Sequence, residues 1–272
     1  MVERLCSCIS RLFSVLSRAE ARLLARGLSV LCETRDPGLA LQESTAIERW
    51  GYYGEPRPEF PGFFKRLACA ARVRLPEPLG ASGVDVLEAI RRRESRREYG
   101  DMPVSLEQLS TLLFYAAGVR GYELGWPLRT YPSAGGLQPV EVYVNAWSVE
   151  GLEPGLYHYD AERHELCLLG EPIPRDRLAS ICLDQEHAGD GSLALIITAV
   201  YARTASKYGA RGYRYIHLDA GAVVQNVYLV TEALGLATVV IGAFYDHELC
   251  NELGIDCRWE LPMAVMPVGT RP

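Results

Sequence analysis

Lysine is almost absent from this sequence. Of 28 Lys and Arg residues, only Lys65 and Lys207 are lysines. Arg stays charged inside a protein, whereas a Lys amine can give up its proton when partly buried or crowded by other cations. Lys207 stands in such a crowd, with Tyr208, Arg211, Tyr213, Arg214 and Tyr215 directly after it, leading into an apolar run that reaches Asn226. This makes Lys207 a candidate proton-transfer group. A lysine stem lying over apolar surface accounts for it equally well.

Two further stretches carry chemistry of a different kind. Arg93, Ser95 and Arg97 alternate within RRRESRREY, residues 91–99. In extended or irregular backbone that spacing puts all three on one side. Two guanidiniums and a hydroxyl then form a grip for phosphate oxygens. A solvated charge run at a helix end is the plainer alternative. In YPSAGGLQPV, residues 131–140, Pro132 and Pro139 bracket Ser133, Ala134, Gly135 and Gly136. Small residues let backbone N–H groups approach a ligand, and Gln138 can read an amide edge. A simple turn before a strand fits the same letters.

Other chemistries lack a signature. The sequence has no GxGxxG fingerprint, no P-loop and no GxSxG elbow. The eight cysteines form no CxxC, and the five histidines show no metal-ligand spacing, so no metal is expected. Scattered thiols are expected, with Cys250 and Cys257 a possible pair. A net charge of −6 argues against a nucleic-acid partner. No apolar run has the length of a membrane span, and the first residues lack a signal-peptide pattern, so a cytoplasmic protein is expected.

The elements that must hold these residues follow from periodicity. Residues 1–80 read as an N-terminal helical layer and an extended strap. Leu5, Ile9, Leu12, Phe13 and Leu16 recur at helical spacing, and Arg18 to Leu31 suits a second helix. Residues 81–272 read as the main domain. Asp85 caps a helix to about Glu94, and Ser105 with Gln108 forms a capping box for another that ends at Gly118. Strands are expected at Val140–Trp147, Gly155–Asp160, His164–Leu169, Leu193–Tyr201, Thr238–Phe244 and Pro262–Val268. Helices are expected from Pro174 to Cys182, Leu218 to Leu234 and Asp246 to Leu253. Without regular βαβ alternation, this is an α+β fold, with helices around a mostly antiparallel central sheet.

In combination these stretches resemble the nitroreductase-like flavoprotein superfamily. They are most similar to its SagB-type dehydrogenase branch, which includes the azoline oxidases of thiazole- and oxazole-containing peptide biosynthesis. The similarity rests on RxSxRxY at 93–99, PSAGGLQP at 132–139, LEPGLYHYD at 152–160, KYGxRGYRY at 207–215 with the following LDAG and QN, and PVG at 267–269. Glu43-Ser-Thr45, Phe64-Lys65 and Leu75-Pro76-Glu77-Pro78 extend it toward the N-terminus.

The resemblance implies a nitroreductase-like fold with FMN at a homodimer interface. Arg93, Ser95 and Arg97 would hold the phosphate and ribityl end. Pro132, Ser133, Ala134, Gly135 and Gln138 would line the flavin. Gly242 and Ala243 would approach the far ring edge, and Arg271 would add a late phosphate contact. Lys207 and Tyr208 fall on a Lys-Tyr pair that azoline oxidases need for activity. The implied reaction is dehydrogenation of a thiazoline or oxazoline in a peptide, with a cyclodehydratase as partner. Lys207 would be base or polariser, and Tyr208 would position or relay the proton. Three departures bear on the substrate. Gly136 stands where many nitroreductases have Asn, and Ile241-Gly242-Ala243 stands where they often carry Glu-Gly. Gln138 keeps an ordinary nitroreductase feature where the branch often has Tyr. An NAD(P)H-dependent reductase of nitro compounds or quinones is the alternative, and a non-catalytic flavin-binding partner protein is a third reading.

Overall fold

The computed structural model describes residues 18–34, 36–46, 57–80 and 83–272. The helix expected over Leu5–Leu16, Cys6, Cys8 and most of the aromatic stretch from Gly51 lie outside these residues. The chain divides into a smaller unit, residues 1–59 with 205–213, and a larger one, residues 60–204 with 214–272.

In the smaller unit, helix α1 (Arg18–Thr34) is followed by α2 (Pro37–Ser44). Asp36 caps α2 by accepting the Gly38 N–H at 2.8 Å and the Leu39 N–H at 3.2 Å, and Pro37 suits the first turn, where no N–H partner is needed. The two helices approach closely at Gly27, where a Cβ would meet Ser44 Cβ at 2.8 Å and the Ala40 carbonyl at 2.9 Å.

The larger unit is built on a seven-stranded sheet. Its strands are β1 (Ala71–Arg74), β5 (Val140–Ala146), β7 (Gly155–Asp160), β8 (Glu165–Gly170), β9 (Leu193–Val200), β10 (Leu236–Thr238) and β11 (Glu260–Thr270). The order is β1-β8-β7-β5-β9-β11-β10, and every pairing is antiparallel. The remaining strands form two small pairs. In one, β2 (Val104–Ser105) runs parallel to β6 (Val149–Glu150); the other is a hairpin of β3 (Val119–Glu123) and β4 (Trp126–Arg129). The helices are α3 (Val86–Arg92), α4 (Leu106–Ala117), α5 (Arg175–Ile181), α6 (Tyr201–Tyr208), α7 (Gly212–Ala233) and α8 (Asp246–Leu253). Both α6 and α7 begin in one unit and end in the other.

Alternation along β5 divides the core. Val140, Val142, Val144 and Ala146 join Leu109, Leu112 and Leu113 of α4 and Val223 and Val227 of α7 in one apolar cluster. Tyr143, Ala194, Ile196, Leu178 and Leu249 belong to the other. Each fully buried Leu, Ile or Val contributes about 1.5–3 kcal/mol of transfer free energy. Glu141 and Asn145 project to the Tyr143 side, so that face carries buried polar groups as well.

The capping box is present, with Gln108 N–H donating to Ser105 Oγ at 3.1 Å and the Ser105 N–H to Gln108 Oε1 at 3.0 Å. Several expectations are corrected. Gly118 does not end α4 in a left-handed cap. Its φ is −73°, and it is needed because a Cβ would meet the Phe114 carbonyl at 2.5 Å. The strand expected over Thr238–Phe244 ends at Thr238, with one isolated bridge from Ile241 to Val265. Helix α7 starts at Gly212 rather than Leu218, and α6 had no sequence counterpart. The thiols are not all scattered, because Cys69–Cys167 and Cys250–Cys257 are disulfides. Among the described residues Cys182 is free and buried, and burial pushes its thiol up to about 12. No helix among the described residues is long and apolar enough to cross a membrane.

Candidate functional site

Helix α7 is the spine of the site. It presents Asp219, Asn226, Tyr228 and Glu232 to three separate segments of the larger unit. Asp219 and Tyr228 are nine residues apart, which is about 14 Å along a helix axis. Asn226 donates to the carbonyls of Tyr115 (3.2 Å) and Thr130 (3.3 Å), fixing the helix against the end of α4 and the segment after β4.

At one end Asp219 holds the 132–138 loop. Its carboxylate accepts the Ser133 hydroxyl at 2.7 Å and the Ala134 N–H at 3.2 Å. Ser133 Oγ in turn accepts the Gln138 N–H at 2.9 Å. Burial raises the Asp219 pKa, and the Ser133 and Ala134 hydrogen bonds partly counter that rise. Gly135 (φ 63°) and Gly136 (φ 69°) take the left-handed backbone that glycine allows without penalty. Pro132 and Gly135 are exposed, and Ser133 and Ala134 half-buried. Gln138 does not face outward. It is buried, and its amide donates inward to the Pro127 carbonyl at 3.2 Å. A Cβ on Gly136 would lie 3.6 Å from the Trp126 ring.

At the other end lies the arginine-rich segment. It runs extended beside β10 and β11, with the Arg96 N–H on the Thr238 carbonyl at 2.9 Å and the Gly100 N–H on the Thr270 carbonyl at 2.8 Å. The Arg93 guanidinium lies 5.0 Å from the centre of the Tyr228 ring, and Ser95 Oγ is 2.9 Å from Tyr228 Oη. Tyr228 Oη also accepts the Val240 N–H at 2.9 Å, which ties this corner to Ile241-Gly242-Ala243. Gly242 is exposed and a Cβ there would meet nothing within 4 Å. The Ala243 carbonyl accepts from Gln185 at 3.4 Å. Arg97 is exposed; burial, and then the charge of Arg97, lower the pKa of His187.

The interleaved arginines behave differently. Arg92 (3.0 Å), Arg96 (3.9 Å) and Arg271 (2.6 Å) converge on buried Glu232. Arg271 also donates to the Leu236 carbonyl at 3.1 Å. Arg271 therefore sits at the expected corner with its guanidinium engaged by an acid and a carbonyl. Tyr228, Glu232 and Asp219 had no assigned role in the sequence. Their signal was the i, i+4 and i, i+9 recurrence of polar residues on an apolar helix, which by itself names no partner.

Lys207 and Tyr208 belong to the smaller unit. Lys207 is exposed there, with its Nζ 5.3 Å from the centre of the Tyr208 ring. The other lysine occupies a half-buried site in the larger unit. Lys65 Nζ lies 2.5 Å from both Tyr143 Oη and Glu260, and Glu260 also accepts from Tyr143 and Thr198 at 2.8 Å. Burial and then Glu260 push the Tyr143 phenol far above its ordinary range. Beside this network Glu141 pairs with Arg203 at 2.5 Å and with His158 at 2.8 Å. Burial works against the Glu141 carboxylate, but Arg203 and His158 outweigh it and hold its pKa below the usual carboxylate range.

The sequence profile of the Nitroreductase family matches residues 90–270. A Methanocaldococcus jannaschii protein named for the nitroreductases is 44% identical over 180 residues, covering 66% of this chain and 88% of that protein. The Microcin B17-processing protein McbC of Escherichia coli is 29% identical over 150 residues, covering 52% of this chain and 54% of McbC. The chain thus spans about half the length of McbC. A crystal structure of a Ralstonia eutropha protein, also named for the nitroreductases, superimposes with a TM-score of 0.61 at 29% identity, covering 80% of this chain and 95% of that one. The chain belongs to the nitroreductase family of oxidoreductases, and its resemblances within that family run to the SagB-type branch.

Proposed function

We propose that the protein is an FMN-dependent dehydrogenase of SagB type that converts thiazoline or oxazoline rings in a peptide to azoles. The observation that carries the reading is the pair of sites on α7. Arg93 and Ser95 gather at Tyr228, and a left-handed glycine loop is fixed by Asp219 about 14 Å away along the axis. A ligand with a phosphate at one end and a flat ring at the other suits that separation. The donor set fits FMN, with an arginine and a hydroxyl for the phosphate and open backbone at Gly242 for a ring edge.

Bound FMN supplies the two-electron redox chemistry. The chain's own residues bind and orient. Arg93, Ser95 and Arg97 neutralise the phosphate end. Pro132, Ser133, Ala134 and Gly135 bring backbone to the ring, with Gln138 behind them. Gly242 and Ala243 meet the far edge. Arg271 acts indirectly, by neutralising Glu232 behind the arginine segment. Lys207 takes the proton released as the azoline becomes aromatic, and Tyr208 positions it. The active form is a homodimer in the cytoplasm that works with a cyclodehydratase, and the similarity to a microcin-processing protein supports the partner.

The visible absorption spectrum of the purified protein, before and after heat release of the chromophore, tests the cofactor. A two-band yellow spectrum with FMN released is expected. A colourless protein that takes up no added FMN overturns the reading. The nitroreductase-type alternative keeps one observation in its favour, the Gln at position 138. Rapid bleaching of the flavin by NADH or NADPH would select it.

A further inference from the structure

Arg203 lies in the first turn of α6 and is only 2% exposed. A guanidinium buried to that degree is costly unless its donors meet acceptors. Arg203 meets three acceptors on two distant segments of the chain, residue 62 and residues 138–141. Nε donates to the Gly62 carbonyl at 2.8 Å, Nη1 donates to the Gln138 carbonyl at 2.9 Å, and Nη2 pairs with Glu141 at 2.5 Å.

Those carbonyls belong to segments that border the candidate flavin loop. Gln138 closes the loop with φ 53°, a left-handed conformation that is uncommon for a non-glycine residue. Its N–H is fixed by Ser133 and its carbonyl by Arg203, so Gln138 is tied on both sides. Gly62 has φ 91° and leads into Phe63, whose ring meets the Trp126 ring at 5.0 Å between centroids. Trp126 in turn lies against Gly136 of the loop. One buried cation therefore joins the strap, the aromatic contact over Gly136 and the last residue of the loop. The strap at Gly62 and Phe63 lies outside the residues that match the family profile, 90–270.

We infer that Arg203 is a positioning residue of the flavin site, holding Gln138 in its left-handed turn and the Gly62–Phe63 strap against the same loop. This inference rests on the FMN reading given above and adds to it a residue that touches no cofactor.

The test separates positioning from a purely structural ion pair. In Arg203→Met/Glu141→Gln both buried charges of the pair are removed, an exchange that buried pairs often tolerate. FMN affinity is read by titration of apoprotein, and the bound flavin by its visible spectrum at saturation. Wild-type protein binds FMN, whereas the double variant is expected to fold, bind FMN at least tenfold more weakly and show a shifted flavin band. A folded double variant with wild-type affinity and spectrum overturns the inference. Arg203→Lys guards against a double variant that does not fold. It keeps the charge beside Glu141 but cannot reach all three acceptors. It is expected to fold and to weaken FMN binding at least threefold, and unchanged affinity again overturns the inference. Wild-type protein that binds no FMN overturns the cofactor reading itself, and the inference with it.

Discussion

Ser95 and Tyr228, 133 residues apart, share a hydrogen bond of 2.9 Å between their hydroxyls. Tyr228 Oη also receives the Val240 N–H at 2.9 Å. The phenol proton is then available to Ser95 Oγ, which leaves the Ser95 proton for an incoming phosphate oxygen. Tyr228→Phe removes both contacts while keeping the ring under Arg93. We expect a loss of about 1 kcal/mol in urea unfolding and a threefold to tenfold rise in the Kd for FMN. An unchanged Kd would place Ser95 outside the phosphate contacts.

Lys207→Ala should separate binding from turnover. FMN content should stay at the wild-type level. Turnover of an azoline-containing peptide should fall by about 10²–10⁴-fold, the usual range for one general acid–base group. Full activity in this variant would remove Lys207 from the mechanism.

Asp219→Ala leaves the Ser133 hydroxyl and the Ala134 N–H without their acceptor. A cost of about 1–3 kcal/mol is expected for stranding these groups. The loop should loosen with it, so that bound flavin becomes more accessible to an added fluorescence quencher. Equal quenching in variant and wild type would argue against a role for Asp219 in shaping the loop.

His164 gives the protein a pH dependence of known sign. Its Nδ1 lies 2.8 Å from Tyr159 Oη and its Nε2 2.8 Å from Ser110 Oγ. Burial lowers its pKa from 6.5, and the Pro76 carbonyl and Glu77 only partly oppose that. The unfolded chain therefore takes up the proton first. The stability contribution is complete above about pH 6.5 and is lost as pH falls through the lower folded value. Wild type should lose stability between pH 7 and pH 5 more steeply than His164→Asn, a variant that suits the left-handed backbone at this position (φ 53°). Parallel urea titration curves across that interval would contradict the assignment.

The Cys69–Cys167 disulfide closes a loop of 98 residues and pins the segment before β1 to β8. Its removal in Cys69→Ser/Cys167→Ser should lower unfolding free energy by about 2–4 kcal/mol. Cys250–Cys257 spans only 7 residues and should contribute less, because a short loop has little closure entropy to lose. Chemical denaturation of the two double variants, side by side, checks the order.

Local signals were legible wherever the chemistry of a residue acts on its own neighbours. The Ser105–Gln108 capping box, the Asp85 cap, the alternation that made β5, and the apolar run of β9 were all readable because propensity and burial pointed the same way. The β3–β4 hairpin was not. Its turn, Leu124-Gly125 with φ 50° and 81°, puts a leucine where Asn or Asp would have announced it. Helix α6 was hidden because Tyr201–Tyr208 has few apolar residues and directly follows a strand. The candidate residues themselves stood out by type and spacing: Arg93, Ser95 and Arg97, the 132–138 loop, and the rare lysine at 207. Their partners did not, since nothing local links Ser133 to Asp219, Ser95 to Tyr228, Arg271 to Glu232 or Gln138 to Arg203. Each of those contacts joins residues 35 or more positions apart in the chain. The sequence by itself determined which groups can bind phosphate, bend a loop or move a proton. Only the tertiary structure decided which are held ready and which are neutralised, because burial leaves each charge dependent on the distant acceptor that folding brings to it.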